Sequence, residues 1–406
     1  MNRRDFIKGC SASLALLAAP SLNVYSQILS DQREHCFVFV FLRGGCDGLQ
    51  LVAPASDRTF QDARPHGLKV NTSGNSLGHL LENGLDDIGF YLHPEAAGLY
   101  ELYQECDLAI LHGCGLPNGT RSHFEAMALI ERGIASKEAV TDGWMARLLK
   151  ALEPKGKLPA LATSGGLPLS LSGYLPTACI PDIDSYRFPT DHDYSSLLRK
   201  WYSSSSHLDQ TAQMTLDTME TVANLKFPLG NPKGYPKEWY AHDLSNSMQT
   251  LAQLIRSDCG VRVATVNHMS WDTHEDQVSQ FPMLVRTLSQ SLTAFYQDLA
   301  GREKDVTVVV MSEFGRRLRA NKSNGTDHGH GNMMMVLGKG VKGGRMHGKW
   351  PGLDQRNLDK GVDLAISTDY RTVLCEVLQE RMGVSSLATV FPGFEMPTKL
   401  NLFKTY

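Results

Sequence analysis

Short apolar, β-branched runs alternate along this chain with segments whose apolar residues recur at helical spacing. Five runs each predict a buried strand: CFVFVFL, DLAILHG, VRVATVNH, DVTVVVMS and NMMMVLG. Helical spacing is clearest in FPMLVRTLSQSLTAFYQDLA and in DYRTVLCEVLQERMG, which Gly383 is expected to end as a C-cap. Strands that are apolar throughout and separated by helices predict an α/β fold, with a mainly parallel central sheet and helices on both faces.

The middle of the chain, residues 155–240, breaks this alternation. It contains GGLPLSLSGYLP, SSSS and FPLGNPKGYPKEWY, which are rich in turn-forming residues. We therefore expect a loop-rich cap or insertion over the sheet. It would belong to a single domain that spans residues 27–406.

Residues 1–26 have the features of an export signal. NRRDFIKG is followed by the mildly apolar CSASLALLAAPSLNVYS, which together predict a cleavable signal peptide rather than a membrane span. The pair Arg3-Arg4, followed by Phe6 and Lys8, resembles the twin-arginine signal, which exports proteins already folded. The alternative is a chance arginine pair in a tail. We expect a periplasmic or otherwise exported protein, with the twin-arginine export machinery as a partner.

Composition and charge narrow the function classes. The 406 residues are 42% hydrophobic and 20% charged, with a net charge of -3, as in an ordinary globular protein. Because there is no long basic run, nucleic acid is not expected as a partner. The cysteines after the signal are odd in number and scattered, without a C-x-x-C pair. A disulfide framework and a zinc–cysteine site are therefore disfavoured.

Acids and histidines follow the predicted strands. In open α/β sheets, functional groups collect in the loops after the carboxyl ends of strands, and carboxylate and imidazole both bind divalent ions well. We predict a metal site from six such residues: Asp47, Asp272, His274, Glu313, His328 and His330. Asp327, in the loop GTDHGHGN, is expected to orient one of the histidines. The alternative is a set of ordinary polar loop residues.

The segment TRSHFEA, after the second predicted strand, has two interpretations. Ser122 and Glu125 match a capping box, in which each side chain bonds the other residue's backbone N–H. Ser122 is also a candidate nucleophile, because a helix N-terminus attracts anions and a nearby cation would help to deprotonate its hydroxyl. Arg121 and His123 flank it and could hold an oxyanion. The two interpretations are compatible.

The motifs resemble the bacterial domain-of-unknown-function family numbered 1501. The resemblance runs from about residue 36 to the end of the chain through FLRGGCDGLQLVAP, TRSHFEA, DGWMARLL, GGLPLSLSG, WDTHEDQ, SEFGRR, TDHGHGN and VFPGF. The family is usually placed with the alkaline phosphatase and sulfatase superfamily. This implies an alkaline-phosphatase-like sheet with metal ligands at its strand ends and a nucleophile at the start of a helix.

Carried onto this sequence, the resemblance implies a role for each motif. Asp47 would be the metal acid after the first strand, Ser122 the nucleophile, and Asp272 and His274 a ligand pair, with His328 or His330 as the late histidine. In SEFG, Glu313 can replace the acid of the superfamily's Asp-His pair, but the ring of Phe314 cannot bind a metal. One or two ions are therefore expected, of zinc, calcium or magnesium. TRSHF lacks the C/S-x-P-x-R pattern that formylglycine formation needs, which argues against a formylglycine sulfatase.

The sequence thus leads to two functional hypotheses. The first is an exported metal-dependent hydrolase of a phosphate or sulfate ester, carried by a small molecule or a polysaccharide. Its nucleophile would be Ser122 or a metal-bound hydroxide. The alternative is a metal-binding assembly or binding protein of the cell envelope that has lost turnover and has an exported protein partner. Phe314 and the capping role of Ser122 favour the alternative, whereas the number of convergent ligands favours the enzyme.

Overall fold

The five predicted strands form the centre of one mixed sheet of nine strands in a computed structural model of the chain. The structure describes residues 34–405 except 75, 87, 137–138, 184–185, 187–193 and 226–233, so the predicted signal peptide lies outside it. The strands are β1 (Cys36–Leu42), β2 (Val52–Ala53), β3 (His79–Leu81), β4 (Phe90–Leu92), β5 (Leu108–Gly115), β6 (Ala160–Ala162), β7 (Thr177–Cys179), β8 (Val263–His268), β9 (Val306–Ser312), β10 (Asn332–Leu337), β11 (Arg345–His347) and β12 (Thr368–Asp369).

Strand order confirms the predicted α/β class with a mainly parallel sheet. The main sheet runs β11-β5-β10-β9-β1-β8-β6-β7, and β12 also pairs with β5. β1 pairs in parallel with both β8 and β9, whereas β10 is antiparallel to β9 and β5. The chain returns from β9 to β10 through a loop without a crossover helix, which is why this pair is antiparallel. β2, β4 and β3 form a separate small antiparallel sheet.

Helices cover both faces of the main sheet. They are α1 (Gly48–Leu51), α2 (Arg58–Ala63), α3 (Ala97–Gln104), α4 (His123–Arg132), α5 (Trp144–Leu152), α6 (Tyr194–Trp201), α7 (His207–Asn224), α8 (His242–Arg256), α9 (Gln277–Asp298), α10 (Tyr370–Met382) and α11 (Leu387–Val390), with 3-10 turns at His66–Leu68, Leu169–Leu171 and Glu303–Asp305. Gly383 ends α10 with φ of 70°, as predicted from the sequence. In the described part of the chain, no helix is long and apolar enough to cross a membrane.

The alternation of side chains along β1 builds two separate cores. Its valines belong to the core that includes residues of α8 and α9, and its phenylalanines to the core that includes residues of α5 and α10. Phe37 and Phe39 both meet the ring of Trp144 edge-on, at centroid distances of 5.6 and 5.9 Å. Burial of each such side chain contributes about 1.5–3 kcal/mol. The rigid sheet between the cores fixes the position of the loops at its carboxyl edge.

The segment 155–240, which was expected to form a cap, contributes directly to the sheet. Its strands β6 and β7 pair in parallel and extend the sheet beyond β8. The helices α6 and α7 follow them. The cysteines of the described residues are free thiols, so no disulfide framework is found among them.

Candidate metal centre

Three loops bring three histidines and an aspartate together at one edge of the sheet. β1, β5, β8 and β9 run in the same direction, so the segments after them reach the same edge. His123 follows β5, Asp272 and His274 follow β8, and His328 lies on the return from β9 to β10. Ligand atoms of His123, Asp272 and His328 all lie within 4.8 Å of one another, and this is the group of possible metal ligands found among the described residues.

His274 joins this group through two short contacts. Its Nε2 lies 2.9 Å from Nε2 of His328 and 3.2 Å from Oδ1 of Asp272. Nε2 of His328 is itself 3.1 Å from the same Oδ1. On the other side, Nε2 of His123 lies 3.4 Å from Oδ2 of Asp272. Both carboxylate oxygens of Asp272 therefore face imidazole nitrogens. We refer to His123, Asp272, His274 and His328 as the histidine cluster.

Each histidine of the cluster has an acceptor behind it, on the side away from Asp272. Carboxylates and carbonyls can only accept a hydrogen bond, so each Nδ1 must carry a proton, and in the neutral ring each Nε2 then holds a lone pair. The outer contacts are His123 Nδ1 with Glu313 Oε1 at 2.8 Å, His274 Nδ1 with Asp327 Oδ1 at 3.1 Å, and His328 Nδ1 with the Arg121 carbonyl at 2.9 Å. This is how metal-binding histidines are commonly oriented in proteins.

The Nε2 lone pairs make the cluster suitable for binding a cation. Two Nε2 lone pairs, those of His274 and His328, point at each other across 2.9 Å, an arrangement that a proton or a metal ion must compensate. Nε2 of His123 is buried and has no hydrogen-bond partner among the described residues. Three imidazoles and one carboxylate form a donor set typical of zinc, whereas calcium and magnesium prefer oxygen ligands.

Arg316 holds Asp272 in place from the protein interior. Its guanidinium is fully buried and contacts Asp272 Oδ1 at 2.5 Å. The same guanidinium donates to the carbonyls of Gly45 and Thr326, both at 2.6 Å, so that it ties three loops together. Burial alone would raise the pKa of Asp272, but the hydrogen bond and charge of Arg316, together with the contacts to His328 and His123, lower the pKa below its usual value. Asp272 is therefore ionised at neutral pH.

Glu313 acts on the site through His123. Its carboxylate is fully buried and also accepts hydrogen bonds from the Gly44 N–H at 2.8 Å and from the Ser312 hydroxyl at 2.9 Å. Burial would raise the pKa of Glu313, yet the hydrogen bonds with His123 and with backbone N–H groups, including that of Gly44, lower it below its ordinary value. The hydrogen bond to Glu313 in turn raises the pKa of His123. A more basic imidazole is a stronger ligand, so the contact with Glu313 would strengthen His123 as a ligand for an ion.

The structure separates several predicted site residues from the cluster. Glu313, predicted as a ligand, contacts Nδ1 of His123 and is not among the clustered ligand atoms. Phe314, noted in the sequence as unable to bind metal, packs its ring 4.9 Å from both His123 and His328 and so fixes these two rings. Asp327 makes the orienting contact that was expected of it, with His274.

Asp47, predicted as a metal acid, is occupied elsewhere. Arg64 donates to both of its oxygens, at 2.6 and 3.1 Å, and Gln277 donates to Oδ2 at 2.7 Å. Asp47 also accepts from the N–H of Gln50 at the start of α1. The carboxylate is fully buried among these donors, which leaves no lone-pair direction open to an ion. The prediction failed because Arg64, distant in sequence, supplies the positive charge.

His330 and Arg121 form a separate group with two acids. His330 lies 3.3 Å from Asp359 through Nδ1 and 3.3 Å from the Leu116 carbonyl through Nε2. The guanidinium of Arg121 pairs with Asp359 at 3.2 Å and with Asp363 at a shorter distance. Neither side chain therefore takes the predicted role: His330 is not among the clustered ligand atoms, and Arg121 offers its charge to acids rather than to an oxyanion.

Ser122 stands at the N-cap of α4 without forming the predicted capping box. Its side chain makes no capping hydrogen bond within the described residues. The hydroxyl of Thr120 bonds Glu125 at 2.8 Å instead and accepts from the Ser122 N–H at 3.3 Å. Thr120 thus links the Ser122 N–H to the Glu125 carboxylate in this turn. Ser122 is exposed and immediately precedes His123, a candidate ligand, in the sequence.

Two glycines allow the ligand loops to approach each other. Gly44 has φ of 119°, and a Cβ there would lie 2.5 Å from the backbone nitrogen of Asp272. At Gly325 a Cβ would lie 2.2 Å from the carbonyl oxygen of His274. A side chain at either position would separate the loops. Gly325, in the loop GTDHGHGN, thus serves close backbone packing.

The chain belongs to a family of proteins of unknown function, DUF1501, whose profile matches residues 114–390. This confirms the resemblance found in the motifs. No curated protein sequence matches the chain.

Several solved structures share part of the chain path. A protein described as a candidate sulfatase from Bacteroides thetaiotaomicron matches with a TM-score of 0.39 and 7% identity, over 90% of this chain and 76% of its own. A 2-O GAG sulfatase matches with a TM-score of 0.34 and 11% identity, over 90% and 76%. An alkaline phosphatase from the Antarctic bacterium TAB5 matches with a TM-score of 0.30 and 7% identity, over 76% and 93%. At these TM-scores the likeness says nothing about chemistry, which must be read from the site's own side chains.

Proposed function

We propose that this protein is a zinc-dependent hydrolase that acts on a phosphate or sulfate ester. The observation that carries the proposal is the histidine cluster, in which three imidazoles with outward-facing Nδ1 protons point Nε2 at one aspartate. The cluster opens to solvent, since the side chains of Asp272 and His274 are 46% and 39% exposed. A substrate can therefore reach an ion bound there.

The surroundings of the cluster favour an anionic substrate. Helix α4 begins at His123, and the first turn of a helix presents N–H groups that attract anions. Ser122 immediately precedes this turn and is an exposed residue. A cation and a helix N-terminus on the same side of the substrate would both stabilise charge on the non-bridging oxygens of a phosphate or sulfate group.

The roles of the chain's own residues follow from their contacts. Glu313 fixes the tautomer of His123, Asp327 does the same for His274, and Arg316 holds Asp272. A divalent ion bound by this group would polarise an ester oxygen and lower the pKa of a hydroxyl or water beside it. Ser122 is the side chain proposed to attack, and a water molecule is the alternative nucleophile.

Hydrolysis of p-nitrophenyl phosphate and p-nitrophenyl sulfate tests the proposal. We expect activity with zinc and none after treatment with a chelator. His328→Ala should abolish the activity, whereas His330→Ala, a matched change outside the cluster, should retain most of it. A protein that binds zinc but hydrolyses neither ester would contradict the hydrolase and leave a zinc-binding protein.

A metal-binding protein without turnover is the second candidate. The observation that favours it is the pairing of Arg121 with Asp359 and Asp363, which removes the cationic side chain nearest in sequence to Ser122. Such a protein would use the ion to shape a surface for another exported protein. Full zinc binding together with unchanged partner binding in Ser122→Ala would support this candidate over the hydrolase.

We further propose that the protein acts outside the cytoplasm. The support is the N-terminal sequence NRRDFIK with its apolar continuation, which lies outside the described residues. Replacement of Arg3 and Arg4 by lysine should leave the precursor in the cytoplasm. Cell fractionation measures this directly, and normal export of the lysine variant would refute the proposal.

A further inference from the structure

Gln277, the first residue of α9, lies buried between the two loops that carry most of the histidine cluster. Its side-chain amide makes four hydrogen bonds. Nε2 donates to Asp47 Oδ2 at 2.7 Å and to Gln50 Oε1 at 2.6 Å. Oε1 accepts from the hydroxyls of Thr273 at 3.0 Å and Thr326 at 2.6 Å. The full capacity of the amide is therefore used inside the protein.

Asp47 determines which way this amide faces. An ionised carboxylate only accepts hydrogen bonds, so the NH2 group of Gln277 must point at it and the carbonyl oxygen must point away. Arg64 keeps Asp47 in place through two hydrogen bonds. The buried ion pair thus orients a neutral side chain, which presents its oxygen to the two threonines.

The two threonines lie inside the ligand loops. Thr273 stands between Asp272 and His274 in the sequence, and Thr326 comes two residues before His328. Both hydroxyls meet on one oxygen, so Gln277 links the loop after β8 to the loop before β10. Both threonines are fully buried, and water does not compete for these bonds.

We propose that Gln277 is a positioning residue, which sets the distance between the two ligand loops of the metal centre through Thr273 and Thr326. The inference rests on the proposed function, because it requires the histidine cluster to bind a metal. Gln277 does not touch the ion. Its effect reaches the ion through the spacing of Asp272 and His274 relative to His328.

Thr326→Val is the most direct test, since it removes one hydroxyl and keeps the shape of the side chain. We expect zinc affinity, measured by competition with a chelator, to fall about five- to tenfold, the equivalent of one hydrogen bond. The absorption spectrum of the cobalt-substituted protein should change as well, because the angle between the loops determines the ligand geometry. Gln50→Met is the matched control: it removes a contact of Gln277 on the side away from the loops, and affinity and spectrum should stay those of the wild type.

A change of charge at Gln277 provides a second, independent test. Gln277→Glu places a second carboxylate against Asp47 and should lower zinc affinity about 10- to 100-fold, as loss of support behind a ligand does.

The outcomes separate the two proposals. Zinc affinity and a cobalt spectrum unchanged in both Thr326→Val and Gln277→Glu would overturn the role of Gln277 while leaving the metal centre intact. A wild-type protein that binds no zinc would overturn the metal centre and this inference with it. Should Gln277→Glu fail to fold, the comparison of zinc affinity and cobalt spectrum between Thr326→Val and Gln50→Met still tests the role of Gln277.

Discussion

Two groups of polar residues lie at the same edge of the sheet, and their hydrogen bonding differs completely. Around Asp47, Arg64 and Gln277 supply a donor for each carboxylate oxygen, and the group is sealed from solvent. In the histidine cluster, the Nδ1 atoms are partnered on the outside while the Nε2 atoms converge on Asp272, which is half exposed. In the first group, hydrogen-bond donors satisfy both carboxylate oxygens. In the second group, the Nε2 atoms of three histidines face one carboxylate, as ligand atoms do around an ion.

The difference teaches that residue type and position after a strand do not identify a metal ligand by themselves. An aspartate follows β1 and another follows β8, yet a buried arginine neutralises only the first one completely. Arg316 contacts the second on one oxygen and leaves the other facing His123. Which lone pairs remain open is what separates a binding site from a structural ion pair.

The largest expected effect is the loss of zinc from the cluster. His328→Ala removes one of the convergent nitrogens and should lower zinc affinity by about 100-fold or more, beyond the range seen when only a ligand's support is lost. His330→Ala should change affinity less than about threefold, within the scatter of surface changes, because its contacts are with Asp359 and Leu116. Calorimetric titration of both variants with zinc compares them. Equal losses of zinc affinity in the two variants would mean that the metal ligands are assigned wrongly.

A second prediction concerns stability, for which a change at Asp47 should have a larger effect than a change in the histidine cluster. Asp47→Asn leaves the buried guanidinium of Arg64 without a counter-charge and should lower the free energy of unfolding by about 3 kcal/mol. Asp272→Asn removes the charge beside Arg316, which is itself buried, but Asp272 pairs with it through one oxygen and is 46% exposed, so the cost in the metal-free protein should be smaller, about 1–2 kcal/mol. Urea denaturation with a chelator present measures both. Similar losses of unfolding free energy in the two variants would contradict the distinction between the buried Asp47 group and the histidine cluster.

The contribution of His123 to the pH dependence of stability should differ in sign with and without zinc. The hydrogen bond to Glu313 raises the pKa of His123 in the folded protein. This contribution is fully present below about pH 6.5, the ordinary pKa of histidine, and is lost as the pH rises through the raised value. Zinc competes with protons for the imidazoles, so the stabilisation by zinc should instead grow as the pH rises.

Thermal unfolding from about pH 5.5 to 8.5, on either side of the histidine pKa, separates the two trends. Glu313→Gln should remove the contribution of His123, because the charge that raises its pKa is gone. Buried histidines such as His112 and His268, whose pKa burial lowers, give stability that grows with pH in both forms, so the contribution of His123 is the difference between the two forms. A difference that stays constant across this pH range would contradict the role assigned to Glu313.

The smallest expected effect is that of Ser122→Ala on stability. Loss of an N-cap hydrogen bond normally costs about 1 kcal/mol, but the Ser122 hydroxyl makes no such bond within the described residues. We expect a change of about 0.5 kcal/mol or less, as at an ordinary surface position, together with a large loss of any ester hydrolysis. A clear loss of stability would show that Ser122 caps α4 in solution.

The sequence predicted the sheet well because its central strands are apolar on both faces. A strand as apolar as CFVFVFL is stable in the middle of a sheet covered on both faces. It forms β1, which lies between β8 and β9. The strands β6 and β7 were missed, since they are three residues long and lie in a turn-rich segment. Periodicity cannot detect strands of that length.

The site was predicted less completely because its assembly depends on contacts between distant residues. Asp272, His274 and His328 were recognised from their positions after strands. His123 was assigned to an oxyanion rather than to the ion, although it too follows a strand, and that position was the signal available. Glu313 was predicted as a metal ligand, but its contact with His123 and that of Arg64 with Asp47 could not be predicted, since these partners are 190 and 17 residues apart.

Anomalous diffraction at the zinc edge, from crystals of the zinc-treated protein, tests the metal centre most directly. One peak is expected about 2.0–2.1 Å from Nε2 of His123 and of His328, with an oxygen of Asp272 at a similar distance. His274 should approach the same ion through its Nε2. The absence of a peak between these side chains, or a peak beside Asp47 instead, would contradict the assignment of the histidine cluster as the metal centre.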